Sequence, residues 1–243
     1  MRFGLQVCGW LIGLPLELLI IAALLRGGYR RFPFIFVYTI IDFLATVAEL
    51  PSAVGYVRGV PWAADALASV YWLDEAILQV LVYSVVMSLI YQATGKLRSR
   101  RIVRAALIAG AILFAGISFL IHWNPMLNVG SFMTPWTRDL NFCSAILDLA
   151  LWAMLIASRE KDHRLLLLSG GLGIQFTGEA IGESMRDLAI RNHSRPISLL
   201  GNSLIMLTNL LFLYIWWQAL RTAPVRQQRG VSLRASRSSS SPP

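Results

Sequence analysis

Polar and apolar positions alternate along this chain on a long scale. Runs of about 20 mostly apolar residues, the length that crosses a bilayer as a helix, are separated by short polar, basic or Pro/Gly-containing segments. The runs predict helices at about 5–25, 33–50, 68–93, 102–122, 139–158, 165–187 and 197–220. Trp10, Trp62, Trp123, Trp136, Trp216 and Trp217 fall near the ends of these runs, where interfacial anchors belong. The expected fold class is therefore all-α: a polytopic membrane protein with a seven-helix domain over residues 1–221. Residues 222–243 are Ser-, Arg- and Pro-rich, lack apolar periodicity, and are expected to form a disordered basic tail.

Composition agrees with this. Of 243 residues, 56% are hydrophobic and only 14% charged, with a mean hydropathy of +0.59. A soluble domain carries roughly a quarter charged residues, so the chain lacks the polar surface of a soluble globule. The net charge of +9 does not mark a nucleic-acid binder, because the bases cluster in the segments between the apolar runs. Sixteen of the 22 lie on one side: Arg26, Arg30 and Arg31, the Lys96–Arg104 group, Arg159 to Arg164, and the tail. The positive-inside rule makes that side cytoplasmic, with the N-terminus outside and the C-terminus inside. The N-terminal run has no clear small-x-small cleavage site and is read as a retained first helix. The expected location is a bacterial inner membrane. The expected partners are the lipid bilayer, anionic lipid at the tail and a membrane protein partner, with no nucleic acid.

The sixth run, SGGLGIQFTGEAIGESMRDL, breaks the pattern. Glu179 and Glu183 stand one turn apart, and Gln175 and Asp187 continue the row. Two central acids cost about 5–7 kcal/mol to insert, and the apolar residues of this run return only about 2–4 kcal/mol. Yet without this span the basic tail would move to the outer side, so parity favours seven spans. Gly171, Gly178 and Gly182 form a small-residue stripe that permits close helix approach. The glutamates sit one position round from it and are expected to face protein.

Nine of the 13 acids lie in or at the ends of predicted spans: Glu17, Asp42, Glu49, Asp74, Glu75, Asp139, Asp148, Glu179 and Glu183. No Lys or Arg lies deep in any span, so these acids need protonation, water, polar neighbours or a bound cation. Glu17, Asp42 and Asp148 fall near mid-depth, and the others fall toward the outer side. A polar cavity open to the outside and closed below is expected. The candidate ligand- or proton-binding residues are Glu179, Glu183, Asp148, Asp42, Asp74, Glu75 and Gln175. The competing reading, that each acid is protonated or hydrogen-bonded structural glue, stays open.

Several chemistries find no support. Lys96 and Lys161 sit in loops, so no Schiff-base lysine is available. His122, His163 and His193 lie at helix ends or loops, and there is no HExxH zinc motif and no GxSxG elbow. Cys8 and Cys143 form no CxxC pair and are read as independent packing cysteines. No catalytic residue, metal or cofactor is expected. A faint repeat pairs LELLIIAALLR with LDLALWAMLIASR, placing Glu17 over Asp148. It would fit a parallel three-plus-one-plus-three helix duplication.

The segments RRFPFIFVYTIIDF and VYWLDEAILQVLVYSVV resemble those of small seven-helix bacterial integral membrane proteins of unknown function, common in acidobacterial-type genomes. The resemblance implies no activity. The first functional expectation is a non-catalytic protein whose outward-facing acidic cavity senses or binds a small polar or cationic ligand. The alternative is a small proton-coupled secondary transporter. An intramembrane enzyme and a scaffold stand behind these.

Overall fold

The computed structural model describes residues 2–57, 61–94, 100–122, 129–157, 162–192 and 194–221. All regular structure in these residues is helical: α1 (Arg2–Ala23), α2 (Pro33–Val57), α3 (Pro61–Ala93), α4 (Arg100–His122), α5 (Val129–Ala157), α6 (His163–Arg191) and α7 (Arg195–Arg221). The expected helices are found, several extended by a turn or more beyond the apolar runs. The tail lies outside the described residues. α1 continues into a π-type turn, Leu24–Gly28. Gly27 kinks it at φ 122°, a left-handed conformation that only glycine adopts without steric cost.

Among the described residues, six helices carry stretches long and apolar enough to cross a membrane: Gly9–Gly28, Pro33–Pro51, Ala76–Ala93, Asp139–Ile156, His163–Arg186 and Arg195–Arg221. The α6 stretch is the least apolar of the six, as its acids require. The apolar stretch of α4, Ile108–Ile121, is shorter still.

Neighbouring helices close a ring in the order α1–α2–α3–α5–α6–α7 and back to α1. α4 is the exception. It leans on α5 and α3 from outside, anchored where Ser118 Oγ donates to Asp139 Oδ2 at 2.7 Å. Ile112, Leu113, Leu120 and Ile121 on it are exposed.

The most extensive contact is α6 against α7, made by glycine. The Cβ of an alanine at Gly178 would overlap the Thr208 side chain. A Cβ on Gly201 would lie 2.8 Å from the Gly182 carbonyl oxygen. The two backbones therefore touch at Gly182 and Gly201. Gly171 makes room for Trp216, whose Nε1 donates to the Leu168 carbonyl at 3.0 Å.

The apolar core occupies one half of the ring, toward the C-terminal ends of α1, α3, α5 and α7. Ile20, Leu24, Ile35, Leu89, Leu168 and Trp216 are among its fully buried members. Phe212 and Trp216 stack at 4.3 Å between centroids, and Tyr38 meets Trp216 edge-on at 5.7 Å. At the rim of this half, Arg31 pairs with Asp162 at 2.7 Å, and Gln92 Nε2 donates to the Arg31 carbonyl. The ends of α2, α3 and α6 are thereby tied together.

Candidate functional site

The opposite half of the ring holds a cavity among its described residues. Between α1, α2 and α7 lies a cavity of about 480 Å³, lined among others by Trp10, Glu17, Asp42, Asn202 and Asn209. This is the size range of small-molecule pockets. One row of α1 builds its wall: Gly9, Gly13 and Glu17 follow at intervals of one turn. The glycines withhold side chains where Met206 and Leu210 of α7 approach. From Gly9 to Glu17 the row spans about 12 Å of helix rise along the cavity wall. Pro15 interrupts the α1 hydrogen-bond ladder between these positions.

At the bottom of the cavity, Glu17 is only 4% exposed, yet its Oε2 has no hydrogen-bond partner. The half-buried Asp42 carboxyl lies within Coulombic range of Glu17, Asp74, Glu49 and Glu179. At the mouth, Arg186 joins the lining from α6. It also pairs with Glu183 on its own helix at 2.6 Å.

A second polar cluster lies toward α5 and α6. The Glu179 carboxylate accepts from Asn141 Nδ2 and from Gln175 Nε2, each at 3.0 Å. The remaining amide oxygens, Asn141 Oδ1 and Gln175 Oε1, are buried without a partner. Tyr38, on the apolar side, brings its hydroxyl beside Gln175 and within range of Glu17, Asp42 and Glu179. Tyr38 thus lies near both the cavity acids and the amide-held glutamate. Ion pairs do not neutralise Glu17 or Asp42 among the described residues: Arg31 and Arg186 serve Asp162 and Glu183.

Asp148 stands apart. It is 3% exposed and accepts from Ser169 Oγ at 2.7 Å, joining α5 to α6. Replacing it with Asn preserves a hydrogen-bonding side chain. Replacing it with Leu leaves the Ser169 hydroxyl without this acceptor, at a cost of about 1–3 kcal/mol. Thermal unfolding in detergent is expected to show a clear loss for Asp148→Leu and little for Asp148→Asn.

The structure therefore redistributes the expected residues. Asp42 lines the cavity. Glu179 and Gln175 form the amide-held cluster next to it, and Asp74 is half-buried within range of Asp42. Glu183 does not face protein as its position beside the glycine stripe suggested. It is exposed and turned to Arg186, because α7 packs on the glycine face itself and one position round already lies at the rim. The side chains of Glu75, Asp187 and Cys8 lie outside the described residues. Cys143 is a free thiol, its Sγ 3.9 Å from the Tyr83 hydroxyl. Glu17, absent from the expected set, is the deepest acid of the cavity. Its signal was the Gly9–Gly13–Glu17 row, in which two small residues leave open space above a carboxylate.

No family model, curated protein or solved structure matches the chain. Among the described residues, no group of three or more His, Cys, Asp or Glu is arranged to hold a metal ion. What the site offers is carboxylates, amides, one tyrosine and, at the mouth, Arg186 in its pair with Glu183, beside a cavity backed by the apolar core. Such a set can bind a cation or hold a proton.

Proposed function

We propose that the chain is a seven-span protein of a bacterial inner membrane, N-terminus outside, whose outward-facing cavity binds a small polar or cationic ligand. α4 is its seventh span. The basic segments, including the tail, lie at the cytoplasmic face and meet anionic lipid there. The observation that carries the binding reading is Glu17, a carboxyl almost fully buried at the bottom of a cavity with one oxygen unpartnered. A buried carboxylate is expensive in a low-dielectric bundle, and a bound cation or a proton relieves that cost. The apolar half of the ring closes the site from the other side. The protein has no recognised catalytic motif, and its reading as a sensor requires a partner in the membrane to carry the signal.

The test is thermal unfolding of the detergent-purified full chain with a panel of amines and metal cations. At least one additive is expected to raise the midpoint of wild type, since a ligand that binds only the folded state stabilises it by mass action. Glu17→Gln is expected to abolish that rise while keeping the side-chain shape. If no cation shifts wild type, or if Glu17→Gln shifts equally, the binding reading fails.

The transporter reading is favoured by one observation, the ring order. α1–α2–α3 followed by α5–α6–α7 fits a parallel duplication with α4 as linker. Glu17 and Asp148, aligned by the faint repeat, are both buried, one in each half. Proton-driven uptake into proteoliposomes, lost in Asp148→Asn, would favour transport over sensing.

A further inference from the structure

We infer that the cavity selects an organic monoammonium ion that enters charge-first, with a trailing end that is neutral or anionic. This rests on the binding reading above and names the class of ligand. The cavity is polarised along its length. Glu17 and Asp42 stand at its depth, and Arg186 stands at its mouth, level with Asn202 on α7. That level is set by packing, because the Arg186 stem lies against Gly201.

Three features select the ligand. Glu17 supplies an unpartnered buried oxygen at the bottom of the cavity. It is an acceptor for an ammonium N–H and gives a charge-assisted hydrogen bond. The walls between bottom and mouth are mixed: Trp10, Leu14, Met206 and Leu210 present carbon, and Thr46 and Asn209 present neutral polar groups. They suit a short alkyl or aryl body that follows the charged head. A hard cation takes six or more oxygens, and no cluster of three or more acids among the described residues is arranged for one. Finally, Arg186 lines the mouth, whereas its ion-pair partner Glu183, 2.6 Å away, does not line the cavity. The guanidinium turned to the space offers N–H donors and no acceptor, and a second ammonium at the trailing end of a short diamine would come to rest against it. Like charges at that range repel, so a diamine is disfavoured relative to the monoamine of equal length. A trailing carboxylate meets the opposite sign and is tolerated.

The experiment uses three probes with the same four-carbon chain: butylamine, 1,4-diaminobutane and 4-aminobutyrate. Magnesium is a fourth. Binding to the detergent-purified full chain is measured by calorimetry, for wild type, Glu17→Gln and Arg186→Gln. Butylamine and 4-aminobutyrate are expected to bind wild type. The diamine is expected to bind about tenfold or more weakly, a difference of about 1.4 kcal/mol. Glu17→Gln is expected to lose butylamine. Arg186→Gln, which keeps the stem against Gly201, is expected to remove the discrimination against the diamine. Tightest binding by the diamine or by magnesium, lost in Glu17→Gln, overturns the monoammonium assignment and leaves the cavity reading standing. Rejection of the diamine that persists in Arg186→Gln also overturns the assignment. If no probe binds while another cation of the wider panel stabilises wild type, the monoammonium assignment falls and the cavity reading stands; if nothing in that panel acts either, both fall.

Discussion

Gly178→Ala is expected to force α6 off α7 and cost the bundle about 2–3 kcal/mol or more, at the upper end of overpacking penalties. The added methyl would overlap the Oγ1, Cγ2 and Cβ atoms of Thr208. Turning the threonine does not clear it, because Cβ does not move with χ1. The hydroxyl is also committed to the Leu204 and Ile205 carbonyls, at 2.9 and 3.0 Å. The helices must therefore separate, and separation breaks the backbone contact of Gly182 with Gly201 one turn away. In lipid, apolar burial contributes little to helix association, because the tails are as apolar as the side chains. Close packing of small residues has to supply it. The check is a thermal melt of the detergent-purified variants. Gly178→Ala should lower the midpoint strongly, and Gly178→Ala with Thr208→Gly should recover much of it. Gly116→Ala on α4, where a Cβ meets nothing within 4 Å, should leave stability unchanged or slightly raise it. Equal effects at Gly178 and Gly116 would refute the close-approach account.

Trp216→Ala is expected to have the other large effect, about 3–5 kcal/mol by comparison with aromatic truncations in protein cores. Trp216 is fully buried. Its ring packs on Phe212 and Tyr38, and its indole nitrogen holds the Leu168 carbonyl. Truncation opens a void in the buried core and leaves the Leu168 carbonyl without its indole donor. Trp216→Phe keeps most of the ring and loses the hydrogen bond, so its cost should be nearer 1 kcal/mol. Beyond stability, the void would connect the polar cavity to the opposite end of the ring. Reporter-ion leakage from proteoliposomes is expected to rise in Trp216→Ala and to stay at background in Trp216→Phe. A stable, tight Trp216→Ala protein would show that the aromatic stack does not close the bundle.

Much of the site was legible in the chain because helical periodicity is local. The four-residue spacing of Gln175 and Glu179 places their side chains together on any straight helix, and the Gln175 amide does donate to Glu179. The scarcity of deep bases made pairing impossible for most of the acids. The thinning of polar residues toward one end agrees with the apolar core found there. Glu183 was misread for a related reason. The spacing placed it near the glycine stripe, and only the width of α7 decides where the interface stops. Glu17 was passed over because it is a single acid in a very apolar run, LIGLPLELLII. Its meaning depends on Gly9 and Gly13 facing α7 rather than lipid.

By itself, the order of residues determined the positions of the helices, their apolar character, the small-residue face of α6 and the lack of deep bases near the acids. These follow from hydropathy and from 3.6-residue periodicity, which need no knowledge of neighbours. Only the tertiary structure decided that six helices close a ring with α4 outside it, that Glu17 meets Asp42 across a cavity, and that Glu179 is held by Asn141 from α5. Those pairings join residues far apart in the chain. They depend on which faces approach closely enough to touch, and that is set by side-chain volume at the contacts, above all the absence of side chains at Gly178, Gly182 and Gly201.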